Sequence, residues 1–237
     1  MESLQEPWQQ IRQRIEAACR RCGRDPQQVR LLAVSKTQPL ERMAALWAAG
    51  QIHFGENRVQ EAREKQSLLA ASPHFSLPER AALQWHLIGP LQRNKAKLAL
   101  ELFQMIHSVD SLALAETLSA LLPVGRTLPI LLQVNLGQEA QKHGLAAETL
   151  LPALRQIAML PGLQVQGLMA IPPWTASAEE ARPYFRQLAQ LARQMAAEKI
   201  SGVSMAELSM GMSQDYEVAI EEGATWVRVG SALFGPR

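Results

Sequence analysis

Apolar residues recur along this chain in two alternating registers. Trp8, Ile11, Ile15, Cys19 and Cys22 stand three or four residues apart, the spacing of one face of an amphipathic helix. Residues 29–34 then form a short apolar run of strand type. Thr37-Gln38-Pro39 supplies cap and first-turn signals, and Leu40, Met43, Ala44 and Trp47 make a helical stripe closed by Gly50. The same pair of elements repeats: strand patterns over 51–54, 84–88, 104–107 and 130–135 precede helical patterns over 58–69, 92–100, 111–122 and 146–159. Three more strands follow at 165–170, 205–209 and 225–229, the first two trailed by helices near 184–198 and 214–222.

Short apolar strands alternating with helices predict a parallel sheet covered by helices, and eight such units predict closure into a single (β/α)8 TIM-type barrel. The opening helix precedes the first strand and little chain follows the last, so that helix is expected to pack where an eighth helix would. An open doubly wound sheet binding a dinucleotide would need a G-x-G-x-x-G turn after its first strand, where Ser35-Lys36-Thr37 stands instead. Residues 71–80, with two prolines, read as a surface loop, and residues 1–237 as one domain.

Composition narrows the function classes. Hydrophobic residues make up 47% of the 237 and charged residues 19%, enough to bury a core and too apolar for disorder. The net charge of +2 is spread without a Lys/Arg block, which argues against a nucleic-acid partner. No apolar stretch approaches the length of a membrane span, and Met1-Glu2-Ser3-Leu4-Gln5-Glu6 lacks the build of a signal peptide, so a cytoplasmic protein with no membrane partner is expected. Cys19 and Cys22 have C-x-x-C spacing but share the apolar stripe of the opening helix, which favours packing over redox or metal chemistry; no metal site is expected.

Barrels of this kind place their chemistry at the C-terminal ends of the strands. There the sequence offers Lys36, Glu56 and Asn57, His86, Gly89, Asn135, the run Ser209-Met210-Gly211-Met212-Ser213, and Arg228 with Gly230-Ser231. The loops after strands seven and eight are the usual phosphate site of the fold, where glycines admit an anion to the backbone and serines add donors. Equally, Ser213 could be only a helix cap and Gly230 only a turn. Lys36, directly after an apolar strand, could be a partly desolvated amine able to attack an aldehyde, or the ion-pair partner of Glu56. Arg228, between Val227 and Val229, needs an acceptor: a neighbouring carboxylate, or a ring nitrogen with a free lone pair.

Taken in order, these segments resemble the pyridoxal 5′-phosphate homeostasis proteins, the YggS/PROSC type. The resemblance runs through Leu31-Leu32-Ala33-Val34-Ser35-Lys36-Thr37, His53-Phe54-Gly55-Glu56-Asn57, Trp85-His86-Leu87-Ile88-Gly89, His107-Ser108-Val109-Asp110, Gly167-Leu168-Met169, the 207–213 run and Val227-Arg228-Val229-Gly230-Ser231. It implies a barrel like the N-terminal domain of alanine racemase, in a cytoplasmic monomer or weak dimer. It further implies pyridoxal 5′-phosphate held as an internal aldimine on Lys36, with Ser209, Met210, Gly211, Met212, Ser213, Gly230 and Ser231 around the phosphate. Arg228 would meet the pyridine nitrogen, Asn57 the polar edge of the ring and Met169 one ring face. The implied role is to buffer or deliver the cofactor, with apo pyridoxal-phosphate enzymes as acceptors and no catalytic residue. Gln38 stands where several relatives carry a second lysine, and the tail Gly235-Pro236-Arg237 lacks the lysines some have, which leaves Lys142 as the obvious secondary acceptor. Two other readings compete: a pyridoxal-phosphate amino-acid racemase, and a cofactor-free barrel acting on a phosphorylated metabolite. The racemase needs a second acid/base opposite Lys36, and the only tyrosines are Tyr184, on an apolar helical stripe, and Tyr216, in a first helical turn.

Overall fold

The computed structural model describes residues 4–72, 75–137 and 143–235. Eight parallel strands close a barrel in sequence order: β1 (Arg30–Val34), β2 (His53–Glu56), β3 (Gln84–Leu87), β4 (Met105–Val109), β5 (Leu128–Gln133), β6 (Leu163–Met169), β7 (Glu207–Met212) and β8 (Trp226–Val229). β8 returns to pair with β1 through Leu31↔Val227 and Leu32↔Arg228. Around the barrel run α1 (Gln5–Arg21), α2 (Leu40–Ala48), α3 (Val59–Ala71), α4 (Leu77–Ala82), α5 (Ala96–Leu102), α6 (Leu112–Leu121), α7 (Leu150–Ile157), α8 (Ala178–Ala197), α9 (Tyr216–Glu221) and the short α10 (Ser231–Phe234). The expected (β/α)8 barrel is therefore what the chain forms.

The opening helix takes its expected place. α1 packs on α9, α10 and α2, burying Ile11, Ile15, Ala18 and Cys19, with Cys22 half-buried at its end; both thiols are free. Its exposed side is tied to α9 by Arg14 and Arg21 on Glu217 and Glu221, and Arg24 caps the α9 end through Ile220 O (2.7 Å) and Ala224 O (2.9 Å). In α8, Ser177 caps the N-terminus, and the helix runs through Pro183 from Ala178 rather than starting near 184. Pro183 is the sixth residue of α8, past the N–H groups that lack an intrahelical partner, so the helix forgoes the bond an N–H there would donate to the Glu179 carbonyl.

Two departures matter. The 71–80 stretch is not simply a loop: Phe75 is buried, and Ser76 and Glu79 form a capping box that starts α4, while Trp47 Nε1 donates to Glu79 Oε1 at 3.1 Å. β7 lies later than expected, over 207–212 instead of 205–209, so Ser209 sits in mid-strand and points inward. The polar residues at 209 and 211 look like a strand end in sequence, but a hydroxyl inside the barrel and a glycine against a helix satisfy both. Gly211 has φ +88°, and a Cβ there would meet Ala219 Cβ at 2.6 Å and Tyr216 Cα at 2.9 Å.

Two apolar clusters follow from strand alternation. Outward residues such as Leu31, Ala33, Phe54 and Leu132 join the helices in the main core, while Leu32, Ile88, Met105, Leu131, Met169 and Trp226 fill the barrel itself. The barrel layer also holds three imidazoles. Trp226 packs against His53, His86 and His107 with centroid separations of 4.9, 4.8 and 5.7 Å, and Arg30 lies over the same ring at 4.2 Å. Burial, helped by the fields of Arg30, Arg228 and neighbouring imidazoles, holds His86 and His107 well below the ordinary histidine value and lowers His53 to about 4.

These rings give a pH signature. In the unfolded chain each binds a proton below its ordinary pKa of 6.5, while in the folded protein it stays neutral, so stability present above that pKa is lost as pH falls through it. A fully buried ring contributes a slope of about 1.4 kcal/mol per pH unit in that window. Urea unfolding of wild type and His86→Leu between about pH 5 and 6 should differ in slope by roughly that amount. Parallel profiles would mean that His86 is charged in the folded state.

Candidate functional site

A cavity of about 610 Å³ opens at the C-terminal ends of the strands. Its wall includes Lys36 after β1, Asn57 after β2, Gly89 after β3, Gln133 and Asn135 at β5, and Met212, Ser213, Asp215, Arg228, Gly230 and Ser231 from the β7 and β8 ends. A lysine, a guanidinium and the two serine-glycine loops thus meet in one place.

Lys36 sits on a tightly held turn. Thr37 adopts φ 63°, uncommon for a β-branched residue, and its N–H donates to Glu61, which holds it there. Lys65 reaches from α3 into the same cluster: Nζ donates to Ser35 O at 2.5 Å, Glu56 Oε1 at 2.7 Å and Glu61 Oε1 at 2.8 Å. Glu56 is fully buried and also accepts from Ser35 Oγ at 2.7 Å. Burial pushes its carboxyl up, against the pull of Lys65 and Ser35. Glu56 serves Lys65, which stands on the buried stripe Val59, Ala62, Lys65 and Leu69 of α3. Asn57 is placed by Gly89, where a Cβ would come within 2.3 Å of the Asn57 carbonyl oxygen.

The opposite side is built around Arg228. Nη1 donates to Ser209 Oγ at 2.9 Å and Nη2 to Ala170 O at 2.9 Å, and no carboxylate among the described residues is within ion-pair reach. Glu207, the acid on the neighbouring strand β7, is held by Arg30 and by Thr225 Oγ1 at 2.7 Å. Burial lowers the Arg228 pKa to about 10, with the field of Asp215 opposing; the group is still charged at neutral pH. With five N–H donors and two used here, it retains donors for an acceptor in the cavity. Asp215 is occupied by the Met212 N–H at 2.6 Å, and burial raises its carboxyl.

At the rim, Ser213 Oγ accepts from Gly230 N at 3.2 Å and Ala232 N at 3.3 Å, fastening the two loops together and leaving its own hydrogen to donate. His143 borders the cavity and pairs with Asp110 at 3.1 Å.

Of the residues singled out by sequence, Lys36, Asn57, Met212, Ser213, Arg228, Gly230 and Ser231 line this cavity. Four do not. Met169 is buried in the barrel layer, Ser209 is buried beneath the cavity on Arg228, Met210 faces the helical core, and Gly211 packs on α9. The later start of β7 explains the last three: the strand continues through residues expected to form its loop. Lys142 lies outside the described residues. Tyr184 packs against the main core and Tyr216 is buried in it, away from the cavity lining.

Fold and site together define a barrel of alanine racemase N-terminal type. The family model described as "Alanine racemase, N-terminal domain" matches residues 8–237. The chain is 45% identical over 239 residues to the pyridoxal phosphate homeostasis protein of Pseudomonas aeruginosa, covering 100% of this chain and 97% of that one. To the protein of the same name from Vibrio cholerae it is 42% identical over 238 residues, covering 100% and 98%. The structure of PipY from Synechococcus elongatus with pyridoxal phosphate bound superimposes with a TM-score of 0.79 at 42% identity, covering 94% of this chain and 100% of that one. The chain belongs to the pyridoxal phosphate homeostasis protein family, as its motifs led one to expect.

The buried cluster behind Lys36 sets a stability test. Lys65→Met should strand the Glu56 carboxylate and lower unfolding free energy by about 3–5 kcal/mol, and adding Glu56→Gln should restore part of it. Urea titration reads both; equal stability of wild type and Lys65→Met would remove the cluster from the account of the Lys36 turn.

Proposed function

We propose that this protein binds pyridoxal 5′-phosphate in the barrel-mouth cavity and acts as a carrier of the cofactor rather than as a catalyst. The observation that carries the reading is the pairing of Lys36 with a buried Arg228 that has no carboxylate partner among the described residues, on two sides of one cavity. A ligand suited to it has an electrophilic carbonyl for the amine, a hydrogen-bond acceptor for the guanidinium and an anion for the rim. The donor set fits pyridoxal phosphate. Lys36 Nζ would hold the aldehyde carbon, Arg228 the ring nitrogen, and the Ser213 hydroxyl with the Gly230-Ser231 backbone the phosphate, while Asn57 would border the ring. When bound, the cofactor supplies an aldehyde that condenses reversibly with amines.

The chain's own groups favour holding over turnover. Arg228 stays protonated at neutral pH and can donate a hydrogen bond without giving up its proton, so the ring nitrogen would stay unprotonated and electron withdrawal weak. Neither tyrosine lines the cavity to serve as a second acid/base opposite Lys36. The cavity opens at the barrel mouth, where an acceptor protein could receive the cofactor. Single-domain organisation over 1–237, a cytoplasmic location, a monomeric state and apo-enzyme acceptors belong to the same proposal.

Protein incubated with pyridoxal phosphate should show a visible absorption band that borohydride abolishes, with the reduced adduct on the peptide bearing Lys36. Lys36→Ala should lose the band and keep its thermal unfolding midpoint, and pyridoxal without phosphate should be retained at least about tenfold more weakly, given two charge-assisted hydrogen bonds lost. A full band in Lys36→Ala would overturn the assignment. Solvent deuterium entering the α-carbon of amino acids at an enzyme-like rate would overturn the carrier reading in favour of a racemase.

A further inference from the structure

Arg228 is the end of a hydrogen-bonded line that crosses the barrel interior. His53 on β2 meets His86 on β3 through Nδ1···Nε2 at 3.1 Å, His86 Nδ1 meets His107 Nε2 on β4 at 3.0 Å, and His107 Nδ1 meets Ser209 Oγ on β7 at 2.9 Å. Ser209 then meets Arg228 Nη1 on β8 at 2.9 Å. Five strands contribute one member each. The donor at each link can be worked out from the guanidinium, which only donates. Ser209 Oγ must accept from Nη1, and its own hydrogen, fully buried, has His107 Nδ1 as its partner. Were His107 Nδ1 to donate instead, the hydroxyl hydrogen would be buried without an acceptor, at the full desolvation cost. With Nδ1 accepting, neutral His107 carries its hydrogen on Nε2 and donates to His86 Nδ1; His86 in turn donates from Nε2 to His53 Nδ1. Arg30 over Trp226 and Arg228 at the far end both disfavour a charge on these rings, and Asp215 lies beyond Arg228 on the cavity side. The line therefore has one direction, with every donor pointing away from Arg228 beyond Ser209.

We propose that His107, backed by His86 and His53, is a positioning residue for Arg228: by taking the Ser209 hydrogen it commits a Ser209 lone pair to Nη1 and so aims the remaining guanidinium donors at the ring nitrogen of bound pyridoxal phosphate. This rests on the reading of the cavity given above. Ser209 and His107 act from beneath the cavity without touching the ligand. If the line were only core packing, substitutions in it would change stability and leave discrimination at the ring nitrogen untouched.

The test compares dissociation constants of the full chain for pyridoxal phosphate and for its carbocyclic analogue, in which CH replaces the ring nitrogen. A hydrogen bond from a charged donor supports an expected loss of about tenfold for pyridoxal phosphate in Ser209→Ala and His107→Leu, with affinity for the analogue unchanged within about twofold. His107→Asn, whose amide oxygen can reach the position of Nδ1, should recover most of the loss. Nitrogen-15 spectra of the wild-type rings, recorded without ligand at neutral pH, should show His107 and His86 as Nε2–H tautomers, a readout that needs no variant to fold. An Nδ1–H tautomer at His107, unchanged pyridoxal phosphate affinity in folded Ser209→Ala, or equal losses for both ligands would overturn the positioning role while leaving the cavity reading intact. Failure of the wild type to bind pyridoxal phosphate would instead overturn the cavity reading itself.

Discussion

A charged guanidinium buried in a barrel with neutral partners is the constraint around which the site is organised. Desolvating such a group costs several kcal/mol, and the usual remedy is a carboxylate. Here Arg228 is satisfied by a hydroxyl and a main-chain carbonyl, so its charge is held in place without being cancelled. That choice dictates its surroundings. β7 must present an inward hydroxyl at 209, β6 must end so that the Ala170 carbonyl faces inward, and the layer below must accept the Ser209 hydrogen without adding charge. Neutral imidazoles do this; a carboxylate at 107 would neutralise the guanidinium, and a leucine would leave the hydroxyl unpaired.

The other wall follows the opposite strategy. Lys65, Glu56 and Glu61 are three charges whose attraction is spent on the backbone around Lys36, at Ser35 O and Thr37 N–H. Their net effect is to fix a turn, including a left-handed Thr37, that a loop would not adopt by itself. The Lys36 amine is thus carried on a hydrogen-bonded turn, and the charge at Arg228 is supported by hydrogen bonds of neutral groups.

The strand-helix alternation and the ends of β1 and β8 were legible in the sequence, because short apolar runs bounded by Lys36 or Gly230 leave few alternatives. The differences centre on β7, where polar and glycine residues were taken as the end of the strand. Ser209 looked like the end of β7, and it is an interior hydrogen-bond partner; Gly211 looked like an anion cradle, and it admits α9. His53, His86 and His107 stand far apart in sequence on three strands, and only closure of the barrel brings them into line. Lys65 was passed over because it is charged, although its spacing from Val59, Ala62 and Leu69 puts it on the buried face of α3. The 71–80 stretch is the converse case: the capping signal Ser76-x-x-Glu79 was present, and two prolines obscured it.

The barrel type is shared with alanine racemase, so the fold alone does not decide between carrying a cofactor and using it. On the proposed reading, the choice falls to the chemistry around the amine. Catalysis on an amino acid requires strong electron withdrawal through the ring, proton donors on both faces, and exclusion of water. An arginine that keeps its proton weakens the first, and tyrosines committed to helix packing and the core remove one candidate for the second. Among the described residues the cavity is left open at the barrel mouth, which works against the third. On the reading proposed for the cavity, the same features would ease exchange: an incoming amine could reach a carbon held by Lys36, and the positive charge at Arg228 would remain for the next anionic ligand.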